Sequence, residues 1–204
     1  MENTAPTKSN LMSAQSSLEF SQKGFELLDK KRNVLIREMM SYMSRVKELQ
    51  SMINETFEEA YKALRYANVS VGINNVEDIA LAIPESKDYE VIYRSVMGVE
   101  VPEVKYKKMP IKPAYGMYRS NSSVDEAFQK FNDVKYLIYE LAEVENSVYK
   151  LAIEVKKTQK RANALQNIQI PKYKDMVKFI SDVLDEKDRE EFFRLKVVKK
   201  KSKK

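Results

Sequence analysis

From Leu11 to Ala67 apolar residues recur at alternating steps of three and four, and no proline interrupts the stretch. Leu11, Leu18, Phe25, Arg32, Met39, Val46, Ile53, Ala60 and Ala67 form one heptad series. Ala14, Ser21, Leu28, Leu35, Tyr42, Leu49, Thr56 and Ala63 form the other, so that only Ser21, Arg32 and Thr56 break the pattern. An uninterrupted helix of this length would run roughly 85 Å. A strict seven-residue repeat describes a coiled-coil seam, whose knobs must find holes on a second long helix.

The same chain supplies that partner. Ser123-Val-Asp-Glu126 has the spacing of a capping box. Beyond it Val134, Leu137, Leu141, Val144, Val148, Leu151, Val155, Thr158, Ala162 and Leu165 again step by three and four. The period resumes past Pro171 with Tyr173, Val177, Ile180 and Leu184, so the proline reads as a kink within one helix, with a full break as the alternative. Three of the four glycines and four of the six prolines fall between Ser70 and Ser120, where neither long helix can pass. There Asn75, Asp78 and the apolar Ile79 to Ile83 predict a short helix. Tyr89, Val91, Tyr93 and Val96, then Val99, Val101, Val104 and Tyr106, predict a β-hairpin turning near Gly98. A lone hairpin is marginal in water, so it must lean on the helices or on another protein.

The expected fold is therefore mainly α, a long antiparallel two-helix coiled coil formed by the N- and C-terminal helices, with a central segment holding a short helix and a hairpin. The expected boundaries are a frayed start at 1–8, a first helix at 9–68 capped by Ser9, a central segment at 69–122, a second helix at 123–196 and a basic tail at 197–204.

Composition removes whole classes of chemistry. The chain has no Cys and no His, which excludes zinc fingers, disulfide frameworks, thiol catalysis and histidine acid–base work. Four scattered glycines cannot build a phosphate-cradling loop. Glu58 with Glu59 and Glu190 with Glu191 are neighbours on helices and point apart. No cofactor or metal is expected. No apolar run approaches the ~18 residues of a membrane span, and Glu2, Asn3 and Thr4 lack the basic and apolar regions of a signal peptide, so a cytoplasmic chain is expected. Five of the 36 basic residues behind the net charge of +6 are the tail lysines Lys199, Lys200, Lys201, Lys203 and Lys204. The aromatics do not interleave with the lysines, which argues against nucleic acid.

Antiparallel pairing of the two helices puts residues whose numbers sum to about 191 at one level. Lys30, Lys31 and Arg32 then come level with Lys156, Lys157, Lys160 and Arg161. These seven residues form either a basic collar that meets an acidic partner or a solvated face neutralised locally by Asp29 and Glu154. Gly24 comes near the level of Pro171, where a bend or a close crossing would account for both; the alternative is that the glycine is simply tolerated. Residues Asp185 to Leu195 overhang, exposing Phe192 and Phe193 as an interface or a surface folded back on the helices.

The run Lys156-Lys-Thr-Gln-Lys-Arg-Ala-Asn-Ala-Leu165, the segment Asp185-Glu-Lys-Asp-Arg-Glu-Glu-Phe-Phe-Arg-Leu-Lys196, the opening Pro6-Thr-Lys-Ser9 and the turn Val96-Met-Gly-Val-Glu-Val-Pro102 resemble the D subunit of V-type and archaeal A-type rotary ATPases. The resemblance covers both helices and the turn and departs in the loop 73–87 and the tail. It implies a non-catalytic central shaft inside a hexamer of catalytic A and non-catalytic B subunits, peripheral to the membrane, carrying torque to the ion-translocating rotor ring. It further implies a small F subunit as partner at the hairpin, near Tyr93, Met97, Val99 and Val101, and a rotor-seating subunit, named C or d. Lys30 to Arg32 and Lys156 to Arg161 would face the hexamer, and Phe192 and Phe193 would act as a bearing. The competing readings are a coiled-coil adaptor outside any motor or a helical arm that binds nucleic acid.

Overall fold

A computed structural model describes residues 5–85, 88–108 and 115–202. The first four residues, Pro110, Pro113 and the last two lysines of the expected tail lie outside that set. The element order is α1 (Lys8–Val71), α2 (Ile73–Ala82), β1 (Tyr89–Val96), β2 (Val99–Tyr106), a 3-10 turn (Met117–Arg119), α3 (Ser122–Ala164), a π turn (Leu165–Gln169) and α4 (Ile170–Lys201). The chain divides into two compact units: one takes residues up to Val34 and from Val155 onward, the other Leu35–Glu154.

Helix ends differ from expectation in instructive ways. Thr7, not Ser9, caps α1: its hydroxyl accepts the Asn10 amide at 3.2 Å. At the far end α1 runs three residues past the expected stop and breaks only at Gly72, whose φ of +93° is open to glycine without steric cost. Asn121, not Ser123, caps α3, its side-chain carbonyl accepting the Ser123 amide at 3.1 Å. Ser123 sits inside the helix, buried, and its hydroxyl shares a 2.7 Å hydrogen bond with Ser70 of α1. The capping-box spacing was right about where a helix starts and wrong about which side chain starts it. At the C-terminal end α4 continues through Lys199, Lys200 and Lys201, because cations in a last turn oppose the negative end of the helix dipole.

In the 35–154 unit α1 and α3 pair antiparallel. Tyr61 meets Phe131 edge to face, Glu59 pairs with Lys130 at 2.7 Å, and Arg45 reaches Glu140 at 3.4 Å. Leu35, Leu49, Ile53, Val134, Val144 and Leu151 are the buried apolar knobs. Ala67, Val124 and Ala127 form a second cluster into which α2 inserts Ile79, bordered by Val71, Val76 and Tyr115.

In the other unit the seam is built from smaller groups. Ala14, Ser21, Thr158, Ala162 and Ile180 are its buried residues. Ser21, an apparent gap in the heptad, is 6% exposed and satisfies its hydroxyl on the Ser17 carbonyl at 2.7 Å. The helix passes Pro171 without ending; the irregularity lies before the proline, in the π turn.

Candidate interaction surfaces

The hairpin has the two-residue turn its sequence predicts. Tyr89 pairs with Tyr106 and each step inward keeps register to Val96 with Val99. Met97 and Gly98 have φ of +51° and +80°, the left-handed pair that matches strand twist. One face of the hairpin rests on α3. Tyr89 and Tyr106 pack on Tyr139 and Tyr136 with centroids 5.1 and 5.2 Å apart, and Lys150 lies 4.8 Å over the Tyr93 ring. Glu143 accepts the Val104 amide at 2.7 Å, and Glu140 accepts the Tyr106 hydroxyl at 2.7 Å. From the other face Arg94 donates to the Tyr42 hydroxyl of α1 at 2.8 Å.

The base of the hairpin is held by a group that the sequence pattern does not signal. The Asp88 side chain, 6% exposed, pairs with Lys135 at 2.8 Å and accepts the Tyr139 hydroxyl at 3.0 Å. The lysine hydrogen bond holds the Asp88 carboxyl below its ordinary value. Burial works against the Lys135 charge, yet its bond to Asp88 and the carboxylate's field outweigh that and raise its pKa. Burial first, and the Glu140 carboxylate second, push the Tyr106 phenol up to about 12. Tyr115, desolvated and bonded to Asp125, is likewise raised to about 12.

Of the residues expected to meet a small partner, Tyr93 and Met97 are exposed and Val99 is half-buried. Val101 is 2% exposed, so its side chain belongs to the unit's own core and offers a partner nothing. Its strand neighbour across the ladder is Arg94, on the face turned toward Tyr42, which is why alternation placed it inside.

The collar residues lie in the other unit. Arg32, the polar break in the heptad, donates to the Gln159 side chain at 2.8 Å and pairs with Asp29 at 2.6 Å. Gln159 in turn donates to Asn163 at 2.7 Å. Arg32 thus sits level with Gln159 and spends its charge on Asp29, as the local-neutraliser reading has it. Lys30 pairs with Glu26 at 2.7 Å. Lys31 and Lys157 have partners of their own. Lys156, Lys160 and Arg161 are exposed and carry no ion pair among the described residues, while Thr158 and Ala162 between them are buried. From Asp185 to Ser202 every residue is exposed, with Phe192 at 65% and Phe193 at 64%.

The paired carboxylates diverge as expected: Glu58 turns to Lys62 at 2.8 Å, Glu59 to Lys130 at 2.7 Å, and Glu190 to Arg194 at 3.6 Å. Among the described residues no cluster of acidic side chains is set to hold a metal ion, and no helix is long and apolar enough to cross a membrane.

Long paired helices, with a two-stranded hairpin held to α3 and, through Arg94, to Tyr42 of α1, define a coiled-coil class of chain. The family model for the ATP synthase D subunit matches residues 10–200, and the chain belongs to that family. It is 44% identical over 97% of both chains to the V-type ATP synthase D subunit of Thermotoga neapolitana. The A-type ATP synthase D subunits of Thermococcus kodakarensis and Pyrococcus furiosus are 38% and 37% identical, over 97% and 95% of this chain and 94% and 92% of theirs.

Proposed function

We propose that this chain is the non-catalytic central-stalk subunit of a V/A-type rotary ATPase. It carries torque between a hexamer of A and B subunits and the membrane rotor ring, and hydrolyses nothing itself. The hairpin receives the small F subunit on the exposed Tyr93 and Met97 and the half-buried Val99. A rotor-seating subunit, C or d, joins the chain to the ring, so the chain is peripheral to the membrane on its cytoplasmic side. Family membership supports the setting.

The observation that carries the mechanism is the division of labour on the helix from Lys156 to Ala162. Thr158 and Ala162 are buried in the seam, while Lys156, Lys160 and Arg161 project outward without an ion pair among the described residues. Charges left unneutralised within the chain are available to acidic loops of a surrounding ring. Exposed pairs are worth about 0.2 to 1 kcal/mol each, enough to steer and weak enough to release at every step. Phe192 and Phe193 provide an apolar bearing at the end of α4.

The test is to neutralise Lys156, Lys160 and Arg161 together in the assembled complex. ATP hydrolysis should continue while ion pumping per ATP falls, and circular dichroism should show the helices intact. Normal assembly with unchanged pumping per ATP would sink the collar.

A further inference from the structure

Upstream of Pro171 the seam follows Leu151, Thr158 and Leu165; downstream it follows Tyr173 and Ile180. Leu165 to Tyr173 is one residue longer than a heptad, a step that in a regular α-helix turns the second side chain about 80° from the first and so shifts it toward the edge of the seam. Thr158 and Ile180, at 2% and 0% exposure, are nonetheless both buried. The extra residue is absorbed at Leu165–Gln169, where the Ile170 amide donates to the Leu165 carbonyl five residues back. Such a π turn also suits Pro171. In a regular α-helix the proline ring would clash with the carbonyl four residues earlier and leave it without a donor, at a cost of about 3 kcal/mol.

Little stiffens the surroundings of this turn. From Ala162 to Pro171 the sequence has no charged residue, so no ion pair forms within the segment, and Gln166 to Gln169 are exposed. The residue facing Leu165 across the seam is Gly24, the most flexible residue type and the poorest helix former after proline. The two ion pairs of α1 nearby, Glu19–Lys23 and Glu26–Lys30, stop on either side of it. A Cβ on Gly24 would meet Leu165 Cδ1 at 3.5 Å, ordinary contact, so close packing does not require the glycine. The expected close crossing is therefore not what keeps it there.

We propose that the π turn and Gly24 together form a compliant joint, at which the paired helices of this unit yield in twist and length while the seam on either side keeps its register. The joint's use in smoothing torque rests on the shaft reading above; its existence does not. Hydrogen exchange on the full chain tests it directly. The amides of Gln166–Ile170 should exchange ~10-fold or more faster than those of Leu151–Thr158. Deleting Asn167 together with Pro171→Ala restores a seven-residue step from Leu165 to the next seam position and permits a regular α-helix. That variant should bring the two exchange rates within about 2-fold of each other and raise the melting temperature. Gly24→Ala, which fits without displacement, should alone slow exchange across the turn several-fold, about 2- to 5-fold. Equal protection across the turn in the unaltered chain, a deletion variant that melts lower, or an unresponsive Gly24→Ala overturns the joint. Failure of the collar variants to alter pumping would instead count against the shaft.

Discussion

Asp88 is the residue on which the hairpin's attachment turns. Replacing it with Ala removes the carboxylate that pairs with the Lys135 ammonium and accepts the Tyr139 hydroxyl, and should cost about 2 kcal/mol in denaturant unfolding. Because its carboxyl is held below the ordinary 3.8, the stabilisation is present above that value and is lost as pH falls through the lower folded one. An acid titration of stability should therefore lose part of its drop in Asp88→Asn. Tyr106 and Tyr115 act at the other end of the scale. Their phenols ionise near 12 instead of 10, so the stability they contribute is complete below pH 10 and declines as pH rises toward 12. Phenolate absorbance should show a late-titrating fraction that Tyr106→Phe reduces; an unchanged late fraction would contradict the assignment. None of these three residues was legible as a site in the sequence. A lone aspartate before a strand carries no period, and its partners lie forty and more positions away.

Elements were far more legible than sites. The two long helices and the hairpin with its turn at Gly98 follow from periods of 3.6 and 2, because burying one face of each is the only way either period is satisfied. Caps and breaks did not follow. Thr7 displaced Ser9 and Asn121 displaced Ser123 because several adjacent Ser, Thr and Asn residues compete for one set of free amides, and tertiary contacts decide among them. The one-residue excess between Leu165 and Tyr173 was written in the sequence, yet Pro171 drew attention to itself and away from the turn before it. Met97 offers a test at this scale. A methionine at φ of +51° costs about 1 kcal/mol, so Met97→Asn or Met97→Gly should stabilise the hairpin, seen as slower amide exchange along β1 and β2. Faster exchange would mean that the Met97 side chain packs more than its 48% exposure indicates.

Across the whole molecule, the two units differ in what they bury. The 35–154 unit buries Leu35, Leu49, Ile53, Tyr136 and Leu151, whereas the other relies on Ala14, Ser21, Thr158, Ala162 and Ile180. At roughly 25 cal/mol per Å2 of apolar surface, the second set supplies much less. Every tyrosine except Tyr173 lies between Leu35 and Glu154, so tyrosine fluorescence follows one unit while far-ultraviolet circular dichroism follows both. Denaturant should lower ellipticity first and alter tyrosine emission later; coincident curves would show a single cooperative block. The family was legible from segments such as Lys156 to Leu165, whereas the allocation of charge was not. Arg32 looked like a collar charge until its bonds to Asp29 and Gln159 showed it spent within the chain.

Arg32 and Gln159 are 127 residues apart in sequence. On a ribosome adding about 5 to 20 residues each second, Arg32 emerges about 6 to 25 seconds before the side chain that receives it. Through that interval the growing α1, which ends only at Val71, carries a bare apolar stripe and no mate, and any other nascent chain bearing a similar stripe is a competitor. The burden of making this protein correctly thus falls on the wait, and cells that shield or slow the emerging N-terminal helix should recover more of it in soluble form.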